Sequence, residues 1–125
     1  MTIDLPLPHK LLHPNARPHY MAKARLVRQH RDHAQFIART HKDRKTFAKP
    51  VVSMDFHLSR KRDADGLVAW IKSYLDGFED AGLYANDSAV EIGYVKRHKA
   101  KVAKVVFTIA EGTEDETCGK SKFEA

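Results

Sequence analysis

Apolar and polar residues alternate in TIDLPL (2–7), where Ile3, Leu5 and Leu7 share one side, and a period of two predicts a short first strand. Pro6 and Pro8 put that strand at a sheet edge or end it early, because proline brings no N–H to a ladder. PHKLLHPNARPHY (8–20) carries three prolines and reads as a loop. From Pro18 to His41 neither proline nor glycine interrupts the chain, and Ala22, Ala24, Leu26, Val27, Ala34, Ile37 and Ala38 recur at helical spacing. This predicts the longest helix, with Pro18 in its first turn and Lys23, Arg25, Arg28, Arg31 and Arg39 on its wetter sides. After a charged connection (41–50), VVSMDFHLS (51–59) puts Val51, Ser53, Asp55, His57 and Ser59 on one face and Val52, Met54, Phe56 and Leu58 on the other, a half-buried strand. A second helix is predicted over 66–80 from the stripe Leu67, Ile71, Tyr74, Leu75 and Phe78. DAGLYANDS (80–88) is rich in turn residues. AVEIGYVKR (89–97) alternates Val90, Ile92 and Tyr94 against Glu91, Gly93 and Val95, HKAK forms a basic hairpin turn, and VAKVVFTIA (102–110) is the last strand.

The order β-α-β-α-β-β predicts an α/β (α+β-like) domain: a small mixed β-sheet with two main helices packed on it. Residues 1–110 form that single domain, and 111–125, acidic and small, read as a flexible tail. No apolar run approaches the length of a transmembrane helix, and MTIDLPLPHK does not read as a signal peptide. Cys118 is the single cysteine, which rules out an internal disulfide or a multi-cysteine zinc site and fits a reducing, cytoplasmic setting.

The formal charge of +6 is uneven. Residues 1–50 hold 11 Lys and Arg against 3 Asp and Glu, residues 51–110 hold 9 against 8, and residues 111–125 hold 2 against 5. A basic first half suits a polyanion such as DNA or RNA, although many basic proteins bind nucleic acid without purpose.

KRDADG (61–66) gathers two acids beside two cations. It lies in a strand-to-helix connection, where function is often grafted onto α/β sheets. Residues two apart in extended backbone point the same way, so Asp63 and Asp65 converge if the segment is extended. If the third strand lies beside the second, Asp87 in LYAND returns to the same sheet end, and three oxygen donors there suit Mg²⁺ or Mn²⁺. Such an ion polarises a phosphodiester and activates water. The plainer reading has Asp65 as the second helix's N-cap and Asp87 as a turn residue. The flank Arg60, Lys61, Arg62 favours a phosphate beside the acids.

Three stretches together resemble the RusA family of Holliday-junction resolvases, especially the short phage and prophage versions, over about Leu5 to Ile109. They are PNARPHY (14–20), RKRDAD (60–65) and KSYLDGFEDAGLYANDS (72–88). The resemblance implies a homodimeric, Mg²⁺-dependent endodeoxyribonuclease, with Mn²⁺ a possible substitute, acting in DNA recombination and repair in the cytoplasm of a bacterium or phage-infected host. Its substrate would be branched DNA, nicked symmetrically at four-way junctions. Asp63, Asp65 and Asp87 fall on the family's catalytic, metal-binding acids and Lys72 on its helix lysine, which would neutralise charge at the scissile phosphate. Asn15, Arg17, His19, Arg60, Lys61, Arg62, Lys96 and Arg97 are the candidate DNA contacts. Two departures stand out. Gly66 replaces the Asn that usually follows the second acid, and Lys72 follows Asp65 by seven residues where the family has about four. Three extra residues are nearly one helical turn, about 300° of rotation. These departures keep open a catalytically weakened branched-DNA-binding protein.

The remaining candidates are blander. The eight histidines are scattered, and His30 with His33 is a weak zinc pattern. His19 reads as a phosphate contact or as helix-start packing. Trp70 with Val68 reads as core or as a dimer contact. Lys96, Arg97, Lys99 and Lys101 read as a solvated turn or as a grip on a DNA arm. An RNA-binding module is the weakest alternative, for want of an aromatic platform in a strand.

Overall fold

The computed structural model describes residues 1–13, 16–17, 19–59, 64–85 and 87–112, and for Leu11, Ala64, Asp65 and Asp87 the backbone alone. Four strands form one mixed sheet in the order β1-β4-β2-β3: β1 (Thr2–Pro6), β2 (Pro50–Leu58), β3 (Glu91–Lys99) and β4 (Lys104–Glu111). Three α-helices accompany it: α1 (Tyr20–Arg39), α2 (Ala64–Trp70) and α3 (Lys72–Asp80). Short 3-10 turns cover Lys10–Leu12 and Asp87–Ala89. The mixed α/β class read from the hydrophobic pattern is the one observed. No helix among the described residues is long and apolar enough to cross a membrane.

The alternation in the strands becomes one buried sheet face. Ile3 and Leu5, then Val52, Met54, Phe56 and Leu58, then Val105, Phe107 and Ile109 are all buried. Tyr74 and Phe78 of α3 meet the Phe107 ring edge-on, at 6.1 and 5.0 Å between centroids. The Tyr74 hydroxyl donates to the Pro6 carbonyl at 2.8 Å, so its polar end is satisfied inside the core. Helix α1 lies beside α3. Arg31 makes a two-pronged ion pair with Asp80, and the backbones meet at Gly77, where an added Cβ would stand 2.3 Å from the Arg31 carbonyl oxygen.

Four local readings change. The predicted helix over 66–80 is two helices, broken at Ile71, with no proline or glycine at the break to announce it. Trp70, just before the break, is core: its indole N–H donates to the His9 carbonyl at 2.9 Å and its ring meets His13 edge-on. The basic segment 98–101 is not a hairpin turn. His98 and Lys99 complete β3, and the connection to β4 passes the end of β2, where the Ala100 N–H donates to the Leu58 carbonyl, because β2 lies between β3 and β4. The alternation in β3 is interrupted by a bulge: Val52 faces Ile92, but Met54 faces Val95. Ser53 fills the irregularity, its hydroxyl accepting from the Tyr94 N–H at 3.2 Å. Ile92 and Tyr94 therefore face opposite sides of the sheet. Finally, Glu111 belongs to β4 and not to the acidic tail, its carboxylate accepting the backbone N–H groups of Ala48 and Lys49. Those two bonds, with nearby lysines, hold its carboxyl below the usual range.

Candidate functional site

Strand direction decides which residues meet. β4 is antiparallel to both β1 and β2, and β3 is parallel to β2, so β1, β2 and β3 all end at the same end of the sheet. Crevices at the carboxyl ends of parallel strands are common ligand sites in α/β proteins. Pro6 and His57 stand level there through Lys104, and Arg97, His98 and Lys99 stand beside Phe56, His57 and Leu58. The loop from Leu7 into α1 leaves this end with Arg17 and His19. His19 caps α1, its Nδ1 accepting the Met21 N–H at 3.2 Å, and its ring stacks on Tyr20. The helix-start reading of His19 thus has a geometry. Asn15, Arg60, Lys61, Arg62 and Asp63 lie outside the described residues.

Asp65 is in the first turn of α2, one residue inside the helix and not at its N-cap. Helix α2 begins shortly after β2 ends and is pinned at the same sheet end: an added Cβ at Gly66 would stand 3.4 Å from His13 Nε2. Lys72 opens α3, and its ammonium donates to Asp76 at 2.7 Å, one turn further along. That pair is exposed and of the kind worth about 0.3–0.5 kcal/mol, so a competing anion displaces it cheaply. Lys72 also lines a groove with Lys23, Val27, Trp70, Ser73 and Asp76, in which the Ser73 hydroxyl is buried without a hydrogen-bond partner among the described residues.

Asp87 is placed elsewhere. The third strand does lie beside the second, but in parallel, so the segment entering β3 sits at the amino end of β2, where Val51 faces Glu91. The Phe47 N–H and the Thr46 hydroxyl, just before β2, bond the carbonyls of Leu83 and Gly82 in the same loop. Nine residues of β2 separate the two ends, roughly 26 Å at about 3.3 Å per residue. Within one chain the backbones of Asp65 and Asp87 therefore stand at opposite ends of the sheet. Among the described residues one chain therefore keeps the Asp65 and Asp87 backbones apart, and Asp63 lies outside those residues.

One further cluster carries only a partial signal in the sequence. On the sheet face away from α1 and α3, His98 Nε2 donates to Asp55 at 2.8 Å, and the Tyr94 hydroxyl donates to the other oxygen at 3.1 Å. The hydrogen bond from His98, above all, and then that from Tyr94 hold the Asp55 carboxyl below its ordinary range. His57 stacks on His98 at 5.0 Å, and the Lys96 ammonium lies 4.5 Å over the Tyr94 ring. The signal for half of it is the polar face Ser53, Asp55, His57 of β2. The other half needs the bulge at Gly93, which puts the strand face of Tyr94, Lys96 and His98 on the Asp55 side of the sheet.

His30, in sequence no more than half of a weak zinc pattern, ties the loop to α1. Its Nε2 accepts the His9 N–H at 2.9 Å, so the proton must reside on Nδ1, which meets the Leu26 carbonyl at 2.7 Å. The ring also stacks on Tyr74. Burial chiefly, with His9 and His33 nearby, pushes its pKa below 6.5. The unfolded chain therefore takes up the proton first, and the stabilisation present above about 6.5 is lost as pH falls toward the lowered folded value. Thermal melting should show the wild type losing a few degrees between neutral pH and pH about 5 relative to His30→Gln, whose amide accepts the same bond without titrating. Equal losses in both proteins would remove His30 as the cause.

No protein-family model matches the chain, and no curated protein matches it.

Proposed function

We propose that the chain is a metal-dependent endodeoxyribonuclease that resolves four-way DNA junctions by paired symmetric nicks, working as a homodimer with Mg²⁺ or, in its place, Mn²⁺. The observation that carries this reading is the parallel pairing of β2 and β3. It brings the basic run Lys96, Arg97, His98, Lys99 to the sheet end from which the connection to Asp65 departs. Acids that hold a divalent cation and cations that hold phosphate are the pairing phosphodiester hydrolysis needs. The motifs shared with the RusA resolvases supply the substrate class. Since one chain does not gather Asp65 and Asp87, no hydrolytic step is assigned to a single chain.

The test is cleavage of a labelled synthetic four-way junction, with and without Mg²⁺, beside linear duplex of the same sequence. Metal-dependent paired nicks on the junction alone support the reading. Tight binding without nicks in either Mg²⁺ or Mn²⁺ favours the second reading, a weakened branched-DNA binder, for which Gly66 and the shifted place of Lys72 speak.

Phosphate contacts should dominate affinity, so binding should fall steeply with salt. Replacing Lys96 and Arg97 together by Ala should weaken binding to all branched substrates alike and reduce the slope of log K against log salt by about 2. A slope unchanged in a salt titration would remove these side chains from the DNA path.

A further inference from the structure

We propose that the basic pocket at the carboxyl end of α1 binds an unpaired stretch of nucleic acid, with a base stacked on Phe36 and the flanking phosphates held by Arg39, Lys42 and Arg44. These four residues line a pocket of about 830 Å³. Phe36 is 64% exposed, whereas the other described phenylalanines, Phe47, Phe56, Phe78 and Phe107, are all buried. A stacked base covers such a ring without asking it for a hydrogen bond, and an exposed aromatic ring among cations is the pairing by which proteins hold single strands. The cations are available. Arg39, Lys42 and Arg44 are exposed and make no ion pair among the described residues. Of the acids nearby, Asp32 is drawn to Arg28 at 3.5 Å, and Asp43 stands against the four cations Arg39, Lys42, Arg44 and Lys45. A simple acidic peptide would meet the cations and leave the ring uncovered.

The pocket is set before a ligand arrives. The Thr40 hydroxyl donates to the carbonyls of Phe36 at 2.9 Å and Ile37 at 3.3 Å, and the His41 N–H donates to the Ala38 carbonyl at 3.3 Å. The last carbonyls of α1 are thus satisfied by the chain itself and make no call on the cations. His41 Nδ1 accepts the Asp43 N–H at 3.0 Å, which puts the ring proton on Nε2, and Nε2 donates to the Thr2 carbonyl at 2.9 Å. The Arg44 N–H closes the turn on the His41 carbonyl at 3.2 Å. These bonds hold the backbone that carries Lys42 and Arg44 against the start of β1, so less freedom is lost on binding. β1 and β2 both begin at that end of the sheet, and Lys96, Arg97 and Lys99 lie toward the other. The 20 residues of α1 span roughly 30 Å between the two ends. The contact needs no metal ion and none of the acids of the nuclease reading, and it adds to that reading a hold on strand that is not base-paired.

The experiment is anisotropy titration of the full chain with fluorescein-labelled oligo(dT) of about 12 nucleotides, in EDTA so that no strand is cut. The substituted side chains are exposed, so each variant should melt as the wild type does. Phe36→Ala should weaken binding about tenfold and leave its salt dependence unchanged. Arg39→Ala with Arg44→Ala should lower the slope of log K against log salt by about 1.4, the share of two phosphates on a single strand. Phe36→Trp should keep the affinity, and its indole emission should be quenched by oligo(dT) above the constant background of the buried Trp70. The quenching should persist when Lys96→Ala and Arg97→Ala are added, which strips the other end of the sheet. Binding untouched by Phe36→Ala, or an indole that is not quenched, overturns the proposal. A polyglutamate peptide that binds as tightly as oligo(dT), whether or not Phe36 is present, shows a surface for any polyanion and overturns it too. A chain that quenches in this way but cuts no four-way junction keeps this site and loses the nuclease reading, and one that cuts without quenching does the reverse.

Discussion

Asp65→Asn should bind four-way junctions as tightly as the wild type and cut them at least about 10³-fold more slowly. The amide is the same size as the carboxylate, so α2 and its seat at the carboxyl end of the sheet are retained. What is lost is the negative charge that a divalent cation needs, since Mg²⁺ is held by carboxylates and water and not by neutral amides alone. Removing an acid also removes its repulsion of phosphate, so affinity should hold or rise. Gel-shift titration in Ca²⁺ and cleavage in Mg²⁺, on the same labelled junction, separate the two effects. Undiminished cleavage would exclude Asp65 from the chemistry. Uncut junction with both proteins, bound tighter by the variant, would favour the weakened binder.

The second large effect lies in the core. Gly77→Ala should destabilise the fold by about 2–3 kcal/mol, lowering the melting temperature by about 10 °C. Alanine normally favours a helix over glycine by about 1 kcal/mol, so the expected sign runs against propensity. The reason is the contact with α1. The new methyl would stand 2.3 Å from the Arg31 carbonyl oxygen and 2.8 Å from the Ala34 Cβ, and a helix backbone cannot give way as a side chain tip does. Separating the helices to admit it loosens Ala34, Ala38, Tyr74 and Phe78 together. Arg31→Ala, which removes the exposed clasp to Asp80, should cost less than about 1 kcal/mol. Chemical denaturation of the two variants side by side is the check. A Gly77→Ala protein more stable than the wild type would mean that α1 and α3 do not meet there.

Most of the buried sheet face is legible in the sequence. Ile3 with Leu5, the four alternating apolar residues of β2, and Val105, Phe107 and Ile109 announce themselves by a period of two, which backbone geometry alone imposes. The stripe from Leu67 to Phe78 likewise marks a helical face, though not its break at Ile71. There Trp70 is held by a carbonyl sixty-one residues away in sequence. The carboxylate pair and the basic run are legible as residue types. Their relation is not, because the sign of a strand pairing is a long-range fact: β3 beside β2 brings Asp87 to Asp65 if antiparallel and separates them if parallel.

Composition and periodicity by themselves determined the α/β class, the strands and the long first helix to within a few residues, the basic first half and the acids that invite a metal. Those are local properties, set by how each side chain partitions between water and a packed face. Tertiary structure alone decided that β2 lies between β3 and β4, that the Gly93 bulge puts Tyr94 and His98 on the Asp55 side of the sheet, and that the backbones of Asp65 and Asp87 stand at opposite sheet ends. Each depends on which backbone edges find one another across the chain, and the side chains within a strand do not encode that choice.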